Sequence, residues 1–286
     1  MFPHHLPDGP SPHPSTLYSY PERLREQIAT APKVPGVYTF HGEKHPLYIG
    51  KSVNIRARLL SHLREPSEAR LLKQTHRISY TLTAGEISAL ILEARRIKEE
   101  LPLYNQRLRR SRSVCSIVMQ GGKVEIQSAS DIEYGTTADV FGLFKTRTAA
   151  LDRLRGLADD NQLCLSLMGL ERLSMSRGCF RSAIKKCSGA CCGREAVEDH
   201  SERLRSALQA YQIAIWPYTG PIAIKEQFGD LRQHHIIDRW RYLGGYNSLR
   251  SAPRTFRKSA SFDADIYKIL LRPILNGDAQ VIELRR

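Results

Sequence analysis

Long apolar runs are missing from this chain. No stretch of about 18 or more apolar residues occurs, which excludes an ordinary membrane-spanning helix. The N-terminus lacks a charged start followed by an apolar core, so no signal peptide is expected. Cysteine is scarce too: six in 286 residues are too few for a disulfide-stapled secreted scaffold, and the expected compartment is the cytoplasm. Acidic residues are outnumbered, 29 Asp and Glu against 43 Lys and Arg, giving a net charge of +14. Only 25% of residues are charged, as in ordinary globular domains, so the excess is a sign imbalance rather than a charged tail. Because each phosphate neutralised releases condensed counterions, such an imbalance favours a polyanion, nucleic acid before an acidic membrane surface. No internal repeat is apparent, which excludes a solenoid or propeller.

What is present has the length of about two ordinary domains. Residues 1–21 hold six prolines and three histidines among few apolar residues, a composition that reads as a disordered leader. From Val34 two β-prone runs, Val37 to Phe40 and Leu47 to Ile49, flank a polar segment and predict a hairpin. Ile55, Leu59 and Leu63 recur at i, i+4 and i+8, predicting an amphipathic helix over 53–64. Leu71 and Leu72 suggest a shorter helix, and Ile78 to Thr83 alternates like a strand. Thr83 and Glu86 then form a T-x-x-E capping box ahead of a helix carrying Ile87, Leu90, Ile91, Ala94 and Ile97, which Pro102 ends. After a basic loop, Gln106 to Arg112, a hairpin turning at Gly121-Gly122 and a helix from about Thr148 to Asp160 are expected. Glu195 to Ile213 reads as a solvent-facing helix leading into a mixed C-terminal part. The predicted class is α+β: a nuclease-like domain over 22–110, a connector over 111–162, a cysteine-rich segment over 163–194 and a mixed α/β domain over 195–286.

Two groups of residues carry chemistry. In the first, Tyr38 and Tyr48 lie on the two hairpin strands, each close to a glycine that permits near approach of backbone. Lys51 follows just before a helix N-terminus, where free N–H groups favour a phosphate. Arg58 and His62, spaced i, i+4, share one side of the next helix. Glu93 sits roughly 90° around from the apolar stripe of the later helix, on the boundary of core and cleft. A lone carboxylate there suits magnesium, which keeps most of its waters. Any isolated pair of these residues is better read as strand aromatics or surface charges; their joint order and spacing is what points to a site. Gly50-Lys51-Ser52 is not a nucleotide-binding P-loop, since the glycine required five positions earlier is His45. From Lys51 to Arg112 there are 14 Lys and Arg against 6 Asp and Glu, a difference of +8 out of the chain's +14.

In the second group Cys164, Cys179, Cys187 and Cys191 follow C-x14-C-x7-C-x3-C, interleaved with Arg177, Arg181, Lys185 and Lys186. Four thiolates can hold an iron–sulfur cluster or a tetrahedral zinc. The missing tight C-x2-C pairs disfavour zinc, and a reading without metal stays open. Cys192 is spare and Cys115 reads as a buried strand residue. Asp263 and Asp265 lack a third carboxylate and read as a loop or helix cap rather than a metal site.

Gly36-Val37-Tyr38, Tyr48-Ile49-Gly50-Lys51, Arg58, Glu93 and Asn105 together resemble the GIY-YIG nuclease module. "LYIGKSVNIRARLLSHL" and "LILEARRIKEELPLYNQRL" are more narrowly similar to the N-terminal nuclease of the UvrC family of excision-repair endonucleases. "RGCFRSAIKKCSGAC" resembles that family's cysteine-rich region, where a [4Fe-4S] cluster is implied in some members. The chain's length and ending are similar to the short, Cho-type members. The departure is His62, where UvrC often has a tyrosine. The resemblance implies a cytoplasmic, monomeric, Mg²⁺- or Mn²⁺-dependent endonuclease that hydrolyses one phosphodiester bond on the 3′ side of a lesion, on damaged double-stranded DNA loaded with UvrB by UvrA. It implies Glu93 as the metal ligand, Arg58 as neutraliser of the scissile phosphate, and Tyr38 as base, aided by the cation Lys51 or by a proton passed through water. Tyr48 and His62 would orient water, and Asn105 would position the loop. The rivals are a sequence-specific GIY-YIG nuclease of the homing or restriction kind, which needs a separate recognition module, and a catalytically inactive DNA-binding protein, which fits poorly with an intact residue set.

Overall fold

The computed structural model describes residues 21–106, 114–172, 179–253 and 261–284. The expected leader lies outside these residues except for Pro21, as do Arg177 and nearly all of the basic loop after Gln106. None of the described helices is long and apolar enough to cross a membrane.

The first unit runs through helix α1 (Arg25–Ala29), strands β1 (Gly36–His41) and β2 (Pro46–Ser52), helices α2 (Ile55–Leu63) and α3 (Ala69–Gln74), strand β3 (Arg77–Leu82) and helix α4 (Glu86–Glu100). The strands pair antiparallel in the order β2-β1-β3. Successive side chains of a strand point to opposite faces, and β1 is buried on both. Tyr38 and Phe40 face the Ile55, Leu59 and Leu63 stripe of α2, together with Leu24 and Ile28. Val37 faces the other way and packs with Ile49 against Ala89 and Ile97 of α4. The sheet is therefore held between a helix that carries Arg58 and His62 and a helix that carries Glu93.

The second unit contains β4 (Cys115–Gln120), β5 (Lys123–Ser128), β6 (Val140–Phe144), α5 (Arg147–Asp160), the short α6 (Phe180–Ala183) and α7 (Val197–Leu208). The expected turn at Gly121-Gly122 is there, with φ of 56° and 79°, the left-handed pair that a two-residue hairpin requires. Residues read from sequence as a connector, a cysteine segment and the start of a C-terminal domain share one core, in which Ile117, Phe141, Leu154, Leu163, Leu204 and Leu208 meet.

The third unit is an antiparallel sheet of β7 (Ile222–Phe228), β8 (Leu231–Asp238) and β9 (Arg241–Tyr246), covered by α8 (Ala264–Leu275) and closed by β10 (Gln280–Glu283) in the order β10-β7-β8-β9. Ile266, Leu270 and Ile274 of α8 recur every four residues and pack on Ile222, Ile224 and Ile237. This core also takes in Ile87 and Ile91 of α4, so the first and third units share a buried face. The α+β class expected from the sequence is what the chain adopts, with small antiparallel sheets flanked by helices.

Two local expectations are overturned: the helix read as solvent-facing, α7, buries His200, Leu204 and Leu208, and the start of α4 is capped from afar. The Thr83/Glu86 capping box does not form: the N-cap of α4 is Gly85, it makes no side-chain cap, and the Thr83 hydroxyl donates to Gly85 O at 3.0 Å. The cap comes instead from Glu226 on β7, whose carboxylate accepts from Ile87 N–H at 2.8 Å and Ser88 N–H at 2.7 Å. Burial works against ionisation of Glu226, but hydrogen bonds with His235, Ser88 and Ile87 hold its carboxyl below the usual range. Gly85 is required by this arrangement, because a Cβ there would lie 2.6 Å from the Glu226 carboxyl carbon. At the other end of α4, Lys98 pairs with Asp263 at 2.7 Å and Asp265 at 2.9 Å. Asp263 is also the N-cap of α8, accepting from Asp265 N–H at 2.9 Å, which matches the helix-cap reading of this pair. Glu226→Ala removes a cap and leaves His235 and Ser88 without a carboxylate, so a stability loss of about 1–3 kcal/mol is expected as a lowered urea midpoint. An unchanged midpoint would show that the cap is dispensable.

Candidate active site and cysteine cluster

Strand register brings the two tyrosines together. Tyr38 pairs with Gly50 and Phe40 with Tyr48, which sets Tyr38 and Tyr48 diagonally on one face with ring centroids 6.3 Å apart. A Cβ at Gly50 would lie 2.6 Å from Tyr38 Cζ, so the tyrosine ring rests on the glycine backbone. His62 closes the box, its ring 5.4 Å from Tyr38, 5.6 Å from Tyr48 and 5.2 Å from Phe40. It is not the surface partner of Arg58 that helical spacing allows, being only 2% exposed.

The Tyr38 hydroxyl and His62 Nε2 are 2.6 Å apart, and His62 Nδ1 is paired with the Glu68 carboxylate. The cation that acts on Tyr38 is Arg58, whose positive charge opposes the effect of burial on the hydroxyl. It is not Lys51, as the sequence reading had it: the Lys51 ammonium pairs with Glu86 at the start of α4. Lys51 contributes through its backbone, donating N–H to Glu93 Oε1 at 3.0 Å. Burial raises the pKa of Tyr38 and of Tyr48 above the ordinary phenol value, with Arg58 opposing the rise. Burial likewise pushes Glu93 up, against the pull of the Lys51 amide, Lys51 and Arg58 charges. Burial lowers the pKa of His62, against Glu68, which favours the uncharged ring.

Asn105 holds the strand that carries Tyr48. The chain leaves α4 through Leu101 in a left-handed conformation, φ 49°, then runs back along the free edge of β2. Leu103 N–H donates to Pro46 O at 3.2 Å and Tyr104 N–H to Leu47 O at 2.7 Å. Asn105 then satisfies both backbone groups of Ile49, accepting its N–H at 2.9 Å and donating to its carbonyl at 2.8 Å. Its amide takes the place of the next residue of a strand.

Two contributors were missed from sequence. Phe40 pads the box and reads as plain core. Glu68 sits at the end of a 3₁₀ turn, Pro66–Glu68, that begins just after α2. Its only signal was a carboxylate near His62, and Glu65 offered the same signal; Glu65 instead caps the turn, accepting from Ser67 N–H at 3.3 Å.

The second constellation also converges. The Sγ atoms of Cys164, Cys179 and Cys191 lie within 4.8 Å of one another. Cys187 lies nearby, its thiol influenced by Cys164 and Cys179, but its sulfur is not among the three that lie within 4.8 Å of one another. All six cysteines are free thiols. Burial raises the Cys187 thiol to about 11 and also raises Cys191, whereas at Cys179 hydrogen bonds from Ser182, Cys191 and Arg181 outweigh burial and lower it. Cys192 is exposed, with its sulfur 3.7 Å from that of Cys191. Cys115 lies on β4 as expected but is half-buried. Arg181 and Lys186 are paired with Asp159 at 2.7 and 3.4 Å, so two of the interleaved cations share one carboxylate within the protein.

Three family models cover the described units in order: UvrC-like GIY-YIG domain over residues 34–106, UvrC/Cho excinuclease middle domain over 114–210, and Excinuclease Cho C-terminal domain over 221–286. Excinuclease cho of Escherichia coli (strain K12) is 50% identical over 272 residues, covering 94% of this chain and 92% of the relative. UvrABC system protein C of Pseudomonas putida (strain KT2440) is 30% identical over 189 residues, 63% of this chain and 30% of that protein. Among solved structures, the magnesium-bound GIY-YIG N-terminal endonuclease domain of UvrC from Thermotoga maritima is 36% identical, covering 29% of this chain and 97% of that one, with a TM-score of 0.28. With its GIY-YIG endonuclease domain followed by the middle and Cho C-terminal domains, the chain belongs to the UvrC/Cho family of excinucleases.

Proposed function

We propose that this endonuclease makes a single incision on the 3′ side of a lesion, in damaged double-stranded DNA already loaded with UvrB. The observation that carries the hydrolytic part is the contact of Tyr38 with His62, with the charges of Arg58 and Glu93 both acting on the Tyr38 hydroxyl. Glu93 fits a hard divalent cation: its Oε1 is taken by the Lys51 amide, and among the described residues no hydrogen bond is made to Oε2. A Mg²⁺ or Mn²⁺ ion held there supplies Lewis acidity toward the leaving oxygen. Arg58 neutralises charge on the scissile phosphate, and Tyr38 takes the proton of the attacking water. Because Tyr38 is buried and resists ionisation, it acts by passing its own proton to His62, which stands in place of the water-orienting role read from sequence. Tyr48 fills the wall beside the attacking water, and Asn105 fixes the strand that presents it.

The test is to map nicks made by the purified protein with Mg²⁺ on an end-labelled duplex holding one bulky adduct, with and without UvrA, UvrB and ATP. One nick 3′ of the adduct that requires UvrB is expected. Cutting at a fixed sequence without adduct or partners would replace this reading with the homing or restriction one.

For the cysteines we propose a single thiolate-held metal centre bound by Cys164, Cys179, Cys187 and Cys191, a [4Fe-4S] cluster by family resemblance. Zinc is the second reading, favoured by compactness: three sulfurs within 4.8 Å approach the spacing of about 3.8 Å that Zn–S bonds of about 2.3 Å impose in a tetrahedron. Anaerobically purified protein is expected to contain about four iron and four sulfide per chain and to absorb in the visible, or else one zinc and no visible colour. Protein carrying neither, with full stability, would remove the metal-site reading. Chelator treatment is expected to lower the melting temperature of the middle unit, because a site absent from the unfolded chain couples binding to folding.

A further inference from the structure

The pairing of His62 with Glu68 is not explained by the fold. Buried imidazoles are usually satisfied by backbone, and Glu68 reaches this one from a surface turn after α2 has ended. The result is a continuous line from inside to outside: the Tyr38 hydroxyl is 2.6 Å from Nε2 of a ring that is 2% exposed, and Nδ1 of the same ring meets a carboxylate whose side chain is 28% exposed. The other groups facing the imidazole are Phe40 from β1 and Tyr48 from β2, neither of which accepts a proton at neutral pH. Arg58, from α2 itself, is a permanent cation and accepts none.

An ionised carboxylate only accepts hydrogen bonds, so Glu68 requires a proton on Nδ1. In a neutral ring this leaves Nε2 as an acceptor, and the hydrogen bond to Tyr38 then has one direction: Tyr38 donates. The phenol oxygen keeps its lone pairs for a donor on its other side. We propose that Glu68 is a positioning residue of the incision reaction: it fixes His62 in the Nδ1–H tautomer and stabilises the imidazolium formed when His62 takes the proton of Tyr38. The inference rests on the nuclease reading above. In the step, an O–H bond of the attacking water breaks and its proton goes to Tyr38 Oη, while the Tyr38 O–H bond breaks and that proton goes to His62 Nε2. The water oxygen forms its bond to phosphorus as the bond to the leaving oxygen breaks, and the departing oxyanion takes a proton from solvent. Tyr38 is neutral before and after, so its resistance to ionisation does not obstruct the reaction. The relay resets when His62 Nε2 returns that proton to Tyr38 Oη and Tyr38 releases the proton taken from water to solvent, which leaves Nδ1–H on Glu68 throughout.

The experiment compares the full-length protein with Glu68→Gln, Glu68→Ala, His62→Gln and the His62→Gln/Glu68→Ala double variant. Two readouts are needed: single-turnover nicking with Mg²⁺ on adduct-bearing DNA loaded with UvrB, and ¹⁵N NMR of histidine-labelled protein without DNA. Glu68→Ala is expected to slow nicking about 100-fold at unchanged half-saturating DNA concentration, and Glu68→Gln, which keeps an acceptor but not the charge, about 10-fold. The double variant is expected to be no slower than His62→Gln alone, and the His62 ¹⁵N shifts are expected to move away from the Nδ1–H pattern in Glu68→Ala. A rate within twofold of the parent in a folded Glu68→Ala would overturn the proposal, as would an additive loss in the double variant or a tautomer that Glu68 does not affect. If the parent protein itself fails to nick, the nuclease reading falls while the NMR arm still reports on Glu68 and His62.

Discussion

Glu93→Gln is expected to abolish nicking, by about 1,000-fold or more, while leaving the fold and DNA affinity in place. The amide keeps an oxygen in the position of Oε1, so the Lys51 N–H retains its acceptor and the β2–α4 contact survives. What disappears is the negative charge that would hold a divalent cation in a half-buried place, and with it stabilisation of the leaving oxygen. Single-turnover rates across a Mg²⁺ titration distinguish this from a general loss of structure. If nicking persisted at saturating metal within tenfold of the parent, Glu93 would not be the ligand.

Tyr38→Phe is expected to cost between about 100- and 10,000-fold, the range for removing a general base. The ring stays packed on Gly50 and against His62, so the melting temperature should hardly move. The same site sets the pH dependence. His62 must be uncharged to accept the Tyr38 proton, and burial lowers its folded value below 6.5. Activity is therefore full at neutral pH and falls as acid protonates the ring, by about tenfold per unit below the folded value. Burial raises Glu93, so its protonation weakens metal binding in the same acidic direction. Raising Mg²⁺ shifts only the Glu93 contribution; an acid limb that vanishes entirely at high Mg²⁺ would exclude His62 from the proton path.

Elements whose pattern is self-contained could be read from the sequence. The stripe Ile55, Leu59, Leu63 needs nothing but helical periodicity, and the Gly121-Gly122 turn announces itself by residue type. What escaped depends on distant chain. The capping box at Thr83 and Glu86 was a sound local expectation that lost to Glu226, 140 residues further on, because a half-buried carboxylate already filled the place of the cap. The β8–β9 turn was unreadable for the same kind of reason: Arg239 and Trp240 take φ of 49° and 65°, a conformation normally left to Asn-Gly. Trp240 is fully buried and donates its indole N–H to Ala214 O at 2.8 Å, so tertiary packing imposes the turn. In the candidate site, Tyr38, Arg58, Glu93 and Asn105 could be singled out because their order and spacing form one pattern. Glu68 was not, since whether Glu65 or Glu68 turns inward depends on how the Pro66 turn folds.

Helix α4 is fastened by Glu226 at its start and by Asp263 and Asp265 near its end. Its amides should therefore not exchange with deuterium at the pace of the β1–β2 hairpin they pack against. They should follow the strands of the third unit, opening when β7 and α8 open, as members of one cooperative folding block drawn from opposite ends of the chain. The residue that would hold the catalytic ion then belongs, energetically, to the C-terminal unit, and a nuclease domain cut free after residue 106 would carry its Glu93 on a helix with both moorings gone.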